Sequence, residues 1–258
     1  MPTPETMPVP LAQLRRRNLP AGAALGWLAS GWRDLVNVPL PSLAYGVLVF
    51  GVSAILIWGL FALRLDYILF PALAGFMVVG PLIAIGLYQK SRDIEDHRRP
   101  SLARMVFVDA ESGPQVWFTG AILCLLMLVW MRAAVIIYAL FFGLRPFPGF
   151  NDVMVMLLTT PQGWGMLLVG TTVGGLFAAF SFAISTFAIP MLLAERTDAF
   201  TAMGTSISLV LNNLAVMLAW GTIVLLLFLV AVATGLVGLI VVFPLLGHAT
   251  WHSYRAIR

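Results

Sequence analysis

The sequence predicts an all-α, polytopic membrane protein. Six transmembrane helices form three hairpins, each preceded by a short amphipathic helix lying at the membrane interface. Three observations predict it. Sixty per cent of the 258 residues are apolar and 10% are charged, whereas a soluble domain carries about 25% charged residues. The apolar residues fall in runs long enough to cross a bilayer, which takes about 20 of them. The arginines stand at the ends of those runs, where they set topology and meet anionic headgroups. Such a chain has far more apolar surface than its own interior can hide. The composition excludes a soluble enzyme, a nucleic-acid binder, a disordered chain and a disulfide scaffold. Cys124 is the single cysteine and forms no internal disulfide.

Residues 1–22 read as a flexible, Pro-rich cytoplasmic tail, and residues 23–258 as one membrane domain. The Arg15-Arg16-Arg17 run is not read as a signal, because Pro20, Gly22, Gly26 and Gly31 break up the mildly apolar stretch behind it. Leu43–Leu63 is the first span and ends at Arg64-Leu65-Asp66. Ile68–Tyr88 is the second, containing Pro71 and Pro81, which packed membrane helices tolerate. A polar stretch runs from Gln89 to Gln115. Trp117–Tyr138 is the third span, followed by the Pro/Gly-rich segment at 145–149, and Met166–Leu193 is the fourth. Leu214–Gly247 holds no charge over 34 residues. As one helix it would be about 50 Å long, against a hydrocarbon core of about 30 Å, so a break at Thr234-Gly235 divides it into two spans. Five spans are the alternative. With the N-terminus inside, all the basic residues but Arg64, Arg132 and Arg145 fall on the inner side. The positive-inside rule therefore favours six spans with both termini cytoplasmic.

The pattern has an internal threefold character. Gly80-Pro81-Leu82-Ile83, Ile189-Pro190-Met191-Leu192 and Phe243-Pro244-Leu245-Leu246 each sit near the inner end of a hairpin's second helix. Proline removes a backbone donor and frees a carbonyl one turn earlier, so Pro81, Pro190 and Pro244 are expected helix breaks. Broken helices line substrate sites in many transporters; equally, they kink helices that simply pack. Before the first pair, Leu25, Leu28, Trp32, Leu35 and Val36 form a stripe with Ser30, Arg33 and Asp34 opposite. Phe200, Met203, Ile207, Val210, Leu211 and Leu214 do the same before the third, and Leu102, Met105 and Val106 form a weaker version before the second.

Few groups can carry chemistry. His248 and His252 share a helix face, and two such imidazoles can bind one metal; His97, beside Asp93, Glu95 and Asp96, is a candidate third ligand. The competing reading makes His248, Trp251, His252 and Tyr254 an interfacial belt, with no metal or other cofactor. Arg132 is the one charge well inside a span. It is a functional candidate by default, or a snorkelling side chain paired with Asp66 or Asp152. Gly170, Gly174 and Ala178 have small-xxx-small spacing and make a helix-packing face, continued by Ser181 and Ser185. There is no Walker A loop, HExxH, GxSxG or CxxC, so no enzyme is expected.

Gly247-His248-Ala249-Thr250-Trp251-His252-Ser253-Tyr254-Arg255 is distinctive, as are Gly80–Tyr88 with Ser91-Arg92, and Pro190–Leu193 leading to Asp198-Ala199. In these the chain resembles the predicted bacterial integral membrane proteins grouped as domain of unknown function 2189, over about residues 25–258. The resemblance implies no particular activity. Some members carry the label of cytochrome c oxidase subunit I. A haem-copper core needs about six intramembrane histidines, and this chain has three, so the label does not transfer as a catalytic role. The expected function is that of a non-enzymatic accessory, scaffold or assembly subunit of the bacterial inner membrane, in contact with lipid and with a membrane-protein partner. The alternative is a small transporter or channel, with a polar cavity near Pro81, Pro190 and Pro244 that Arg132 or Ser185 faces.

Overall fold

The computed structural model describes residues 19–143 and 148–258; the expected tail around Arg15–Arg17 and the residue Arg145 lie outside them. Among the described residues all regular structure is helical. The helices are α1 (Ala23–Asn37), α2 (Pro39–Ala62), α3 (Leu69–Ile83), α4 (Ile85–Glu95), α5 (Leu102–Val106), α6 (Gly113–Phe142), α7 (Phe150–Thr159), α8 (Pro161–Ser185), α9 (Ala188–Ala194), α10 (Ala199–Asn212), α11 (Leu214–Ala233) and α12 (Leu239–Ile257). The threefold order is therefore present: α1, α2 and α3–α4; α5, α6 and α8–α9; α10, α11 and α12. Five helical segments are long and apolar enough to cross a membrane, those of α2, α3–α4, α6, α8–α9 and α11. The sixth expected crossing is α12. Its first nine residues are apolar, and its second half turns polar from His248 onward.

The charge-free Leu214–Gly247 run is divided where expected. α11 ends at Ala233, and Gly235 and Leu236 both take positive φ, +63° and +68°. Glycine adopts that conformation freely; leucine rarely does. Two elements differ from expectation. α7 occupies part of what reads as irregular chain. The polar stretch after Tyr88 stays helical to Glu95, because Gln89, Lys90, Ser91 and Asp93 are buried against other elements rather than solvated.

The breaks are also placed differently from the prolines. Pro81 lies inside α3, and the break falls three residues later, at Ala84. There the Leu87 N–H turns to the Ala84 carbonyl, and the freed Ile83 carbonyl accepts from the Tyr45 hydroxyl of α2 at 2.6 Å. The second break, at Thr186-Phe187, is one turn before Pro190, where the missing N–H and the ring both act. The Ser206 hydroxyl of α10 fills it, accepting from Phe187 N–H at 3.1 Å and donating to the Ala183 carbonyl at 2.7 Å. Pro244 leaves α12 continuous. The Ile240 carbonyl it would free lies against Gly46 of α2, so closely that a Cβ there would collide with it. The two interruptions are thus each met by a hydroxyl from a different helix, α2 and α10.

α1 is seated tightly. A side chain at Gly31 would meet Ala249 of α12, with the added Cβ 2.6 Å from its backbone nitrogen, and Trp27 packs edge-on against Trp220 of α11 at 6.0 Å between centroids. The outward face of α1 carries Leu25, Trp32 and Val36, all exposed, while Asp34 is buried. The expected stripe is split: Leu35 is buried, and Arg33, on the expected polar side, is exposed. With lipid outside, an apolar stripe needs no protein partner and polar groups gain by turning inward. The small-residue stripe of α8 is only partly a packing face: Gly174 receives the Trp130 ring, whereas nothing approaches Gly170 and Ala178 is exposed.

Candidate functional site

The polar residues converge at one end of the bundle, the end that carries most of the arginines. At its centre Lys90, Ser42 and His248 are fully buried, with Ser91, Asp34 and His252 beside them. Lys90 Nζ donates to the Asp34 carbonyl at 2.9 Å, the Val38 carbonyl at 2.6 Å and Ser42 Oγ at 2.6 Å. All three ammonium hydrogens are used. Two of those acceptors are carbonyls at the C-terminal end of α1, so Lys90 caps that helix from outside and sits at the negative pole of its dipole.

The network fixes the His248 tautomer. Ser91 Oγ donates its one hydrogen to Asp34 Oδ2 at 2.6 Å. The His248 Nδ1 atom 2.9 Å from Ser91 Oγ must then be the donor to it. In the neutral ring Nε2 is left an acceptor, and the Ser42 hydroxyl donates to it across 2.9 Å. Hydrogens therefore point one way along the chain from Lys90 through Ser42, His248 and Ser91 to Asp34. His252 Nε2 meets the same carboxylate oxygen at 2.8 Å. Burial alone would raise the Asp34 pKa, but the hydrogen bonds from His252 and Ser91 and the nearby imidazoles outweigh it and hold the carboxyl below its ordinary value.

Around this centre lies a collar of ion pairs that join separate elements. The Arg104 guanidinium grips Asp93 with Nε–Oδ2 at 2.8 Å and Nη2–Oδ1 at 2.7 Å, tying α5 to α4. Glu95 of α4 accepts from Trp251 Nε1 at 3.1 Å and Arg255 Nε at 2.9 Å, both on α12. Glu195, just past α9, accepts from Tyr254 at 2.5 Å and from both Arg258 donors, at 3.0 and 2.7 Å. The Arg258 hydrogen bonds are the largest cause of its lowered pKa. Arg92 donates to the Leu193 carbonyl at 2.9 Å.

Beside this end, between α3, α8, α11 and α12, opens a cleft of about 860 Å³ of empty space, mouth included. Pro81 and Ala84, Ser185 and Thr186, and Phe243 and Gly247 line it, so the second helix of every hairpin contributes. Its wall is almost wholly apolar and holds no charged or histidine side chain. The expected polar cavity is therefore an apolar one. Ser185 is at its wall, with its hydroxyl bonded to the Ser181 carbonyl at 2.6 Å. Arg132 is exposed near the other end of the bundle, beside a smaller hollow shared with Tyr67 and Pro71, and forms no ion pair among the described residues. Pro190 and Pro244 are buried but stand outside the cleft lining.

The two helical histidines do meet a third group, but it is Asp34 and two serines rather than a metal set. His97 is exposed at the end of α4 and stays apart from them. Among the described residues no three of His, Cys, Asp and Glu gather as metal ligands. Sequence reasoning missed Lys90, Ser42, Ser91 and Asp34. One signal was present: Lys90 is the only lysine in a chain whose other cations are arginines.

Residues 69–194 match DUF2189, a predicted integral membrane protein family. The match covers α3 through α9 and is narrower than the resemblance read from the sequence; it leaves out α1, α2 and the Gly247–Arg255 motif. No curated protein and no solved structure matches the chain.

Proposed function

We propose that the protein is a non-enzymatic, multi-pass protein of the bacterial inner membrane. In this reading it is an accessory or scaffold subunit, with six crossings and both termini on the cytoplasmic side. The observation that carries it is the collar. The acidic side chains Asp34, Asp93, Glu95 and Glu195 are each bonded outside their own element, Asp93 to α5 and the other three to α12 or the residue after it, which makes the basic end a rigid platform. From that platform Arg98, Arg99 and Arg196 project, all exposed. Rigid surfaces lose little entropy on docking, which suits a partner-binding role.

The non-enzymatic part rests on access. Ser42 and His248 have the spacing of a nucleophile and a base. Both are fully buried, outside the cleft lining, and the Ser42 oxygen is occupied by Lys90. The transporter alternative finds less support: the cleft that Pro81 and Ser185 line is apolar, and Arg132 stands away from it.

Affinity purification of the full chain in mild detergent tests the proposal. A reproducible membrane-protein partner is expected, and its yield should fall in an Arg98→Glu/Arg99→Glu variant. Recovery of the chain alone under every mild condition would remove the scaffold reading. Impermeant labelling of single cysteines at residues 5 and 258 tests the topology, and both should be reached only from the cytoplasmic side.

A further inference from the structure

The cleft between α3, α8, α11 and α12 has one polar feature that the fold does not use. At the end nearest the Lys90 network, the side chains of Tyr88 and Thr186 line it. Tyr88 is 1% exposed and Thr186 2%, and among the described residues neither hydroxyl has a hydrogen-bond partner. Neither oxygen is among the fully enclosed side-chain atoms that lack a partner, so both hydroxyls face the open space of the cleft. They stand at the same end of one apolar cavity. Every hydroxyl nearby is already committed: Ser185 donates to the Ser181 carbonyl and Thr250 to the Leu246 carbonyl. Each of those oxygens retains acceptor capacity.

We propose that the cleft is a binding site for an uncharged lipid, whose apolar chain lies along Trp220 and Ala178 and whose terminal hydroxyl or carbonyl oxygen is held by Tyr88 and Thr186. The chemistry selects this occupant in three steps. The wall is apolar over most of its area, so it takes a hydrocarbon body. The end of the cleft offers two free O–H donors, so the body must end in an oxygen acceptor. No charged side chain lines the cleft, so a carboxylate or phosphate would have to shed its water without a counter-charge, which is unfavourable. A solute arriving from water is disfavoured for the same reason that a lipid is favoured: the lining belongs largely to apolar helices that cross the membrane.

The proposal goes beyond the scaffold reading and does not depend on it. The test uses the full chain in a non-ionic detergent, with native mass spectrometry and monoolein as the probe. One monoolein per chain is expected to persist under conditions that strip detergent, and oleate at neutral pH should bind at least tenfold more weakly. Tyr88→Phe keeps the ring and removes only the hydroxyl, so it should weaken monoolein binding about fivefold to tenfold, the range for one neutral hydrogen bond. Ala178→Trp, at the exposed part of the lining, should fill the cleft and abolish the adduct while leaving the melting midpoint in place. If Ala178→Trp unfolds the chain, Tyr88→Phe combined with Thr186→Val decides the matter by itself. Equal retention of oleate and monoolein, or an adduct that survives the double variant, marks annular lipid only and overturns the proposal.

Discussion

Replacing Lys90 by methionine tests whether the buried network is what holds α1 in place. Methionine keeps most of the length of the side chain and removes the ammonium. Three acceptors then lose their donor: the carbonyls of Asp34 and Val38, and Ser42 Oγ. A buried acceptor left without a partner costs about 1–3 kcal/mol, so three of them span about 3–9 kcal/mol. Asp34 keeps His252 and Ser91 as donors, and Ser42 keeps its bond to His248. The loss therefore falls toward the lower end, about 3 kcal/mol. At roughly 2–4 °C per kcal/mol for a chain of this size, the melting midpoint should drop by about 6–12 °C. Tryptophan emission reports the local event, because Trp27 on α1 packs against Trp220 and separates from it when α1 lifts away. Limited proteolysis between α1 and α2 should speed up in parallel. A second variant, Lys90→Met with Asp34→Asn, should cost less than the sum of the two single changes, because both residues belong to one hydrogen-bond network. A midpoint within about 1 °C of the parent, with α1 still protected, would refute the reasoning and demote the network to a passenger.

The Ser206→Ala variant leaves the Phe187 N–H and the Ala183 carbonyl facing one another across an emptied break; thermal unfolding in detergent should show a loss of about 2 kcal/mol, and no change would mean that water replaces the hydroxyl. Gly31→Leu drives a side chain into the Ala249 backbone and should displace α1, read as loss of a disulfide cross-link engineered between α1 and α12. Acid titration carries a sign. The folded Asp34 pKa lies below its unfolded value of about 3.9, so its contribution to stability is fully present above that value and is lost as the pH falls through the lower, folded one. Unfolding followed from neutral pH into the acid range below the folded value should show this loss, and Asp34→Asn should flatten it. His248→Phe should destabilise the fold by disconnecting Ser42 from Ser91, measured by the same melting assay, and it should leave the bound-metal content of the purified protein unchanged.

The hairpins were legible because the bilayer imposes a length on every apolar run, and a run either meets it or does not. The division at Thr234-Gly235 follows from that length alone. The stripe of α1 was legible in part: Leu25, Trp32 and Val36 are exposed together, but Leu35 is buried. Amphipathic spacing tells which residues share a face and not what covers each of them, so Asp34 reads as solvated although it is buried. The network was illegible for a different reason. Lys90 and Asp34 are 56 residues apart and Ser91 and His248 are 157 apart, and no local pattern brings them together. Lys90 reads as a loop cation because the cluster of charges around it marks the end of a span. The proline signatures point to the right helices but not to the points of rupture: a proline frees a carbonyl, and whether the helix opens there depends on what another helix offers. Tyr45 and Ser206 supply hydroxyls, whereas Gly46 supplies only proximity.

Those donated groups also order the birth of the molecule. Synthesis runs from the N-terminus, so Tyr45 is in the membrane before the interruption at Ala84 emerges and can close it at once. Ser206 comes later than the interruption it fills, and the segment around Phe187 must wait, incompletely bonded, for α10. The last helix returns to the first hairpin, where Gly46 receives Ile240 and His248 joins Ser42 to Ser91. A ribosome stalled before residue 248 would hold a nascent chain whose opening helix is only half moored, the sort of intermediate that quality-control proteases recognise.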